Sequence, residues 1–329
     1  MTTGSKETEK TPKSQTKLMN TKAKGYLIGA VAAASYGMNP LFALPLYENG
    51  MSPDSVLFFR YLFAIPILGI MLKARGRDFS IQKGETPLFI IFGILCALSS
   101  LTLFQSYNYM HAGIASTLLF VYPIMVAVIM ACFFKERLSA ATVLCILLAV
   151  CGIGLLYKGA DGATLSFTGT MLVMGSALSY AAYIVGINQT RLKDVATLKI
   201  TFYVLLFGSS LFVVRLFMGD GLQVPDKWYL WGNLLGLALF PTAISFLCTT
   251  AAIQYIGSTP TAILGALEPV TAIFFGILVF GETLTTRDVV GIVLIIVAVA
   301  IVVAGGSVAH AVVRLRKMFP KLIHNKKVK

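Results

Sequence analysis

A carboxylate inside an apolar stretch is the first place to look for chemistry. Glu268 falls near the middle of such a stretch, and Pro269 follows it directly. Ionised at mid-bilayer, a carboxylate costs ~2.5 kcal/mol or more. It must therefore face a wet cavity, find a partner or hold a proton, and the last option lets proton binding compete with solute binding. Pro269 lacks an N–H and cannot continue a regular helix, so the backbone beside the carboxylate is broken and its polar groups are freed. Tyr122-Pro123 stands 146 residues earlier and repeats this arrangement with a neutral side chain. Tyrosine offers a hydroxyl and a flat ring but no charge at ordinary pH. Tyr36 and Asn39, with Pro40 next, are three residues apart, as are Tyr180 and Tyr183, so each pair shares one helical face. Such a face is costly against lipid and is expected to point inward. There it could stack on and hydrogen-bond an amino acid, a nucleobase or another planar metabolite, or else bond neighbouring helices at ~0.6 kcal/mol each.

Two cations also lie within apolar stretches. Arg60 and Arg215 sit within a turn or two of one face of the membrane, where long cationic side chains normally snorkel to the interface. Snorkelling is the reading for Arg215. Arg60 is open between snorkelling, an anion site for a solute carboxylate at the outer mouth, and a bridge to Glu136-like or backbone groups of a neighbouring helix. Gln105 and Asn108 are weaker lining candidates. Glu136 and Glu282, at the ends of spans, suit turn contacts or gate salt bridges.

The elements that hold these groups must be membrane helices. The chain has 329 residues, 57% of them hydrophobic and 12% charged, with a mean hydropathy of +0.81. Soluble domains carry about twice that charge. Ten apolar runs follow one another: 25–46, 55–72, 88–107, 113–134, 140–157, 169–189, 200–218, 228–254, 259–281 and 289–305. They are too long, and alternate too little, for strands of a lipid-facing barrel. Lipid forces each to be helical. The net charge of +13 does not point to nucleic acid, because the basic residues gather in the tails and in every second connection. With the N-terminus inside, 22 Lys and Arg fall on that side and 3 on the other, which puts both termini in the cytoplasm. The five cysteines lie in apolar runs and read as small buried hydrophobes.

The chain also repeats itself. Tyr109, Pro123, Glu136 and Leu138 recur as Tyr255, Pro269, Glu282 and Leu284 at a spacing of 146, and Gly25, Ser35 and Tyr36 recur as Gly169, Ser179 and Tyr180 at 144. Each copy holds five runs, an odd number, so the second enters the membrane from the opposite side. The expected fold is an all-α integral membrane protein with ten transmembrane helices arranged as two inverted-topology five-helix repeats. Its parts are a disordered cytoplasmic tail (1–24), a first repeat (25–158), a second repeat (159–306) and a basic cytoplasmic tail (307–329) that could lie on anionic lipid.

These residues resemble the EamA-type branch of the drug/metabolite transporter superfamily. Tyr36-Gly37-Met38-Asn39 is similar to its aromatic-Gly-x-Asn, and Phe59-Arg60-Tyr61 to its second-helix arginine. Lys135-Glu136-Arg137-Leu138 and Gly281-Glu282-Thr283-Leu284 match its Glu-x-Leu, and Leu267-Glu268-Pro269 its Glu-Pro. The resemblance implies ten helices and transport of small metabolites without naming one.

The expectation is therefore a secondary transporter in the cytoplasmic membrane. It would move a small organic metabolite, amino-acid-like or otherwise planar and polar, by alternating access, as an exporter or exchanger. Its partners are the solute and the bilayer; proton coupling is left open and no dimer is drawn. No phosphate loop is present, so ATP-driven pumping is not expected. A lipid flippase or a scaffold is the alternative. A membrane enzyme is a more distant one, because the histidines (His111, His310, His324) do not gather and no metal spacing occurs. No cofactor or metal is expected.

Overall fold

Runs of Leu, Ile, Val, Ala and Phe with few charges have no polar face to give water, so they become helices that bury one side on each other and leave the other bare. The computed structural model describes residues 12–106, 108–109, 115, 118–136, 139–156, 166–219, 221–280, 286, 289–298 and 301. Among them there is helix and no strand. In chain order the helices are α1 (Pro12–Gly37), α2 (Asn39–Glu48), α3 (Pro53–Ala74), α4 (Thr86–Ser106), α5 (Tyr122–Phe134), α6 (Ala140–Leu156), α7 (Phe167–Gln189), α8 (Thr197–Met218) and α9 (Trp228–Ala238). A π-helical segment, Leu239–Ile244, joins α9 to α10 (Ser245–Ile256), followed by α11 (Ser258–Leu264), α12 (Leu267–Phe280) and α13 (Val289–Ala298).

Among the described residues six stretches are long and apolar enough to cross a membrane: Thr21–Glu48, Pro53–Ala74, Thr86–Ser106, Phe167–Gln189, Thr197–Met218 and Trp228–Ile256. The fourth, fifth and tenth expected spans hold the shorter apolar helices α5, α6 and α13, and the ninth is divided into α11 and α12. α1 begins at Pro12 rather than at Gly25, so residues expected in the tail form its first turns. Large apolar side chains such as Phe133, Phe217, Ile70 and Leu278 stand bare on the outside. A soluble protein rarely leaves such a surface, and acyl chains cover it in a bilayer. Cys132 and Cys151 join this outer surface, which corrects their reading as buried; Cys96 and Cys145 are buried.

The packing exchanges the two halves. α4 runs along α7 as α10 runs along α1, and α5 meets α7 as α12 meets α1. α3 meets its own counterpart α8, and α5 meets α11. Single hydrogen bonds repeat the exchange: Ser176 donates to the Ser99 carbonyl at 2.7 Å, and Ser245 donates to the Ala32 carbonyl at 3.0 Å. Ser245 is the repeat counterpart of Ser99, and Ala32 that of Ser176. Glycine permits the closest approach. A methyl group on Gly208 would press on the Gly93 carbonyl at 2.7 Å, where α8 crosses α4.

Candidate functional site

Three of the helices break where the prolines stand. α1 stops at Gly37 and the chain restarts as α2 with Pro40 in its first turn. Phe120 and Val121 form a turn before Tyr122-Pro123 opens α5. Gly265 and Ala266 form a turn before α12, which carries Glu268 and Pro269 in its first turn. α7 carries Tyr180 and Tyr183 but runs unbroken, because Ile184 stands where the repeat would put the counterpart of Pro40.

The breaks bring the expected side chains together. Tyr122 meets Tyr180 edge-to-face with ring centroids 5.0 Å apart, and Tyr180 stacks on Tyr183 at 6.1 Å. Tyr183 meets Phe246 at 6.4 Å, and Phe246 meets Tyr36 at 6.3 Å. Four helices from both repeats thus supply one continuous line of rings, at spacings that favour aromatic pairs. Tyr122 and Tyr180 each lie within electrostatic reach of Tyr36 and of Glu268. Glu268 is 9% exposed, and among the described residues its carboxylate makes no hydrogen bond or ion pair. The α1 break is seated against it: a methyl group on Gly37 would collide with the Glu268 carbonyl oxygen and with Thr271.

Two of the tyrosine hydroxyls are held. Tyr122 donates to the Ala262 carbonyl at 3.1 Å, and Gly265 fits beneath its oxygen with no room for a Cβ. Tyr183 is hydrogen-bonded to Thr250 at 3.3 Å. The Tyr122 and Tyr183 rings are therefore oriented rather than free, which suits a surface that selects a flat solute.

Arg60 does not snorkel. It is wholly buried, donating from Nη2 to the Pro241 carbonyl at 3.0 Å, from Nε to the Thr242 hydroxyl and from Nη1 to the Asn39 amide oxygen at 3.4 Å. The Tyr36 ring lies 5.6 Å from the guanidinium and the Phe104 ring 5.9 Å. Pro241 and Thr242 lie in the π-helical segment, whose wider turn frees the carbonyl that the arginine takes. Sequence reading missed these two partners. The signal was there: a proline inside the eighth apolar run, with a hydroxyl beside it.

Two other candidates go elsewhere. Gln105 does not join the aromatic line; it donates to Asp54 at 3.4 Å, and Asn108 in turn donates to Gln105. The cause is the Asp54–Arg215 ion pair at 3.0 Å, which gathers polar groups at that end of the bundle. Arg215 thus has a carboxylate partner and is not a lone snorkelling cation. Gln223 and Lys227 tie the next connection to Ser52, Ser55 and Asn49 at the same end. At the opposite end Lys199 pairs with Glu85 at 3.7 Å and donates to the Ser80 carbonyl, while Tyr203 donates to the Phe79 carbonyl. In that connection hydrogen bonds from Ser80 hold the Asp78 carboxyl below its usual range. Glu136 is exposed just past α5. Glu282, the three histidines and the basic tail lie outside the described residues.

The comparisons with known proteins agree among themselves. The description EamA-like transporter family matches residues 23–158 and again 167–304. An uncharacterized transporter of Archaeoglobus fulgidus is 30% identical over 248 residues, covering 75% of this chain and 85% of its own length. The uncharacterized transporter YcbK of Bacillus subtilis is 26% identical over 277 residues, 80% of this chain and 87% of that one. The uncharacterized inner membrane transporter YicL of Salmonella typhimurium is 26% identical over 290 residues, 86% and 96%. A solved crystal structure superposes with a TM-score of 0.73 at 18% identity, over 85% of this chain and 96% of that one, which is a likeness of fold.

Proposed function

Because the chain belongs to the EamA-like transporter family, we propose that it is a secondary carrier. It moves a small planar or polar organic solute, amino-acid-like in its chemistry, across the cytoplasmic membrane by alternating access, as an exporter or exchanger. The observation that carries this reading is the line of rings that joins Tyr122, Tyr180, Tyr183 and, through Phe246, Tyr36, with Glu268 close to Tyr122 and Tyr180 and without a hydrogen-bond or ion-pair partner among the described residues, beside helix breaks drawn from both repeats. Paired interruptions at the interface of two copies are where secondary transporters bind their solutes. The rings receive the flat part of the solute. Glu268 takes a proton or a donor of the solute.

In this reading the two copies are inverted five-span repeats, with α5, α6, α11–α12 and α13 belonging to the remaining four spans. The Lys and Arg distribution supports a cytoplasmic position for both termini and for the connection that carries Glu85. Asp54 and Arg215 then lie at the outer face. The name of the Salmonella relative, an inner membrane transporter, supports the same membrane.

Glu268→Gln keeps the shape and removes the charge and the titration. Proteoliposomes that hold this variant are expected to lose solute flux roughly tenfold or more, about 1.4 kcal/mol in the rate-limiting barrier, while the protein remains folded. Equal flux from variant and parent across pH 5.5–8 (roughly two units about neutrality) refutes the role of Glu268. Exchange that persists while pH-driven accumulation disappears assigns the group to proton coupling.

A further inference from the structure

Among the described residues no carboxylate pairs with Arg60. Arginine is a permanent cation; the Arg60 guanidinium is 0% exposed, and the three hydrogen bonds it makes among the described residues all go to neutral oxygens. The Thr242 hydroxyl spends its own hydrogen on the Leu237 carbonyl at 2.7 Å, so it can only accept from the arginine. The carboxylates near the ends of α3 and α4 are taken: Asp54 by Arg215 and Gln105, and Glu85 by Lys199. Glu268 forms no ion pair with it. A buried ion left without an opposite charge costs several kcal/mol, and rings and carbonyls offset only part of that. Two of the five guanidinium N–H groups also have no acceptor among the described residues.

The place of this charge matters as much as its lack of a partner. The π-helical carbonyl and Thr242 fix the fork from one side, and the Tyr36 ring covers it on another. Tyr36 also belongs to the aromatic line, and Asn39 belongs to the α1–α2 break. Bending at Met38 would lift Tyr36 and Asn39 together and uncover the two free N–H groups beside the rings. A carboxylate accepts two parallel N–H bonds from such a fork.

Resting on the carrier reading above, we propose that Arg60 is the subsite for a carboxylate on the transported solute, so that the solute is a small carboxylic acid with a flat ring. The carboxylate supplies the missing negative charge while the ring lies on Tyr36. An inorganic anion offers the same charge, and the experiment separates the two sources.

The test is thermal unfolding of the full chain in detergent at constant ionic strength. The probes are phenylacetate, phenylalanine, phenylacetamide, phenethylamine, sulfate and chloride. Phenylacetate and phenylalanine are expected to raise the unfolding midpoint saturably, while the amide and the amine leave it unchanged. Arg60→Gln weakens the response to the acids by about tenfold or more, and Arg60→Lys, which keeps the charge but not the fork, by less. If Arg60→Gln does not fold, the acid-against-amide comparison on the parent protein decides alone. An amide as effective as its acid overturns the proposal, as does an acid response unchanged in Arg60→Gln or no response to either acid. A shift with sulfate or chloride that the acids do not exceed assigns the charge to an inorganic anion and overturns it too. A shift with the amine alone leaves the carrier reading standing and removes only this subsite.

Discussion

Replacing Gly265 by alanine isolates the contact that seats Tyr122. The added methyl group collides with the tyrosine hydroxyl, so the ring must leave its bond to the Ala262 carbonyl or the turn before α12 must move. Overpacking of this kind costs roughly 1–3 kcal/mol. Tyr122→Phe removes the colliding oxygen, so the double variant is expected to unfold at a higher temperature than Gly265→Ala alone. A double variant no more stable than the glycine substitution shows that the hydroxyl is not the obstacle. At this scale the sequence was informative about which side chains matter, since a Tyr or a Glu in an apolar run is conspicuous by its cost. It could not say which would meet. Gln105 and Tyr36 are both polar residues in apolar helices, yet one turns to Asp54 and the other to the rings, because their neighbours come from other helices.

The elements are tied to one another at both ends of the α3–α8 seam. The Asp54–Arg215 pair is partly wet, with the arginine side chain 37% exposed, so its coupling is expected to be only ~0.3–1 kcal/mol in a double-mutant cycle with alanine. A coupling that vanishes would mean that Gln105 or water replaces the arginine without loss. Proline made three helix breaks legible in advance, at Pro40, Pro123 and Pro269, because a missing N–H is a local fact. The π-helical segment at Pro241 was not legible in the same way. A proline can kink, break or widen a helix, and here the choice is coupled to Arg60, which lies far away in the chain and takes the freed carbonyl.

For the molecule as a whole, alternating access requires the two ends to open in turn. Cysteines placed at Glu85 and Lys199 and bridged by a cleavable bifunctional reagent are expected to reduce flux to background, and cleaving the bridge to restore it. Undiminished flux across the bridged protein would mean that this end of the seam stays closed throughout the cycle and that the solute passes elsewhere. The same experiment at Asp54 and Arg215 reports on the opposite end.

Composition, the length of the apolar runs and a spacing of 146 residues determined by themselves that this chain is a duplicated, all-helical membrane protein, and the order of its short motifs made it resemble the EamA-like transporter family, to which it belongs. These properties follow from local rules: lipid demands helices, and duplication leaves matching residues at a fixed distance. Only the tertiary structure decided that four tyrosines and Phe246 form one line through both copies, that Glu268 has no hydrogen-bond or ion-pair partner there among the described residues, and that Arg60 is locked against a carbonyl in α9's extension. Those facts depend on which faces of separate helices come together, and that is a property of packing between segments far apart in the chain.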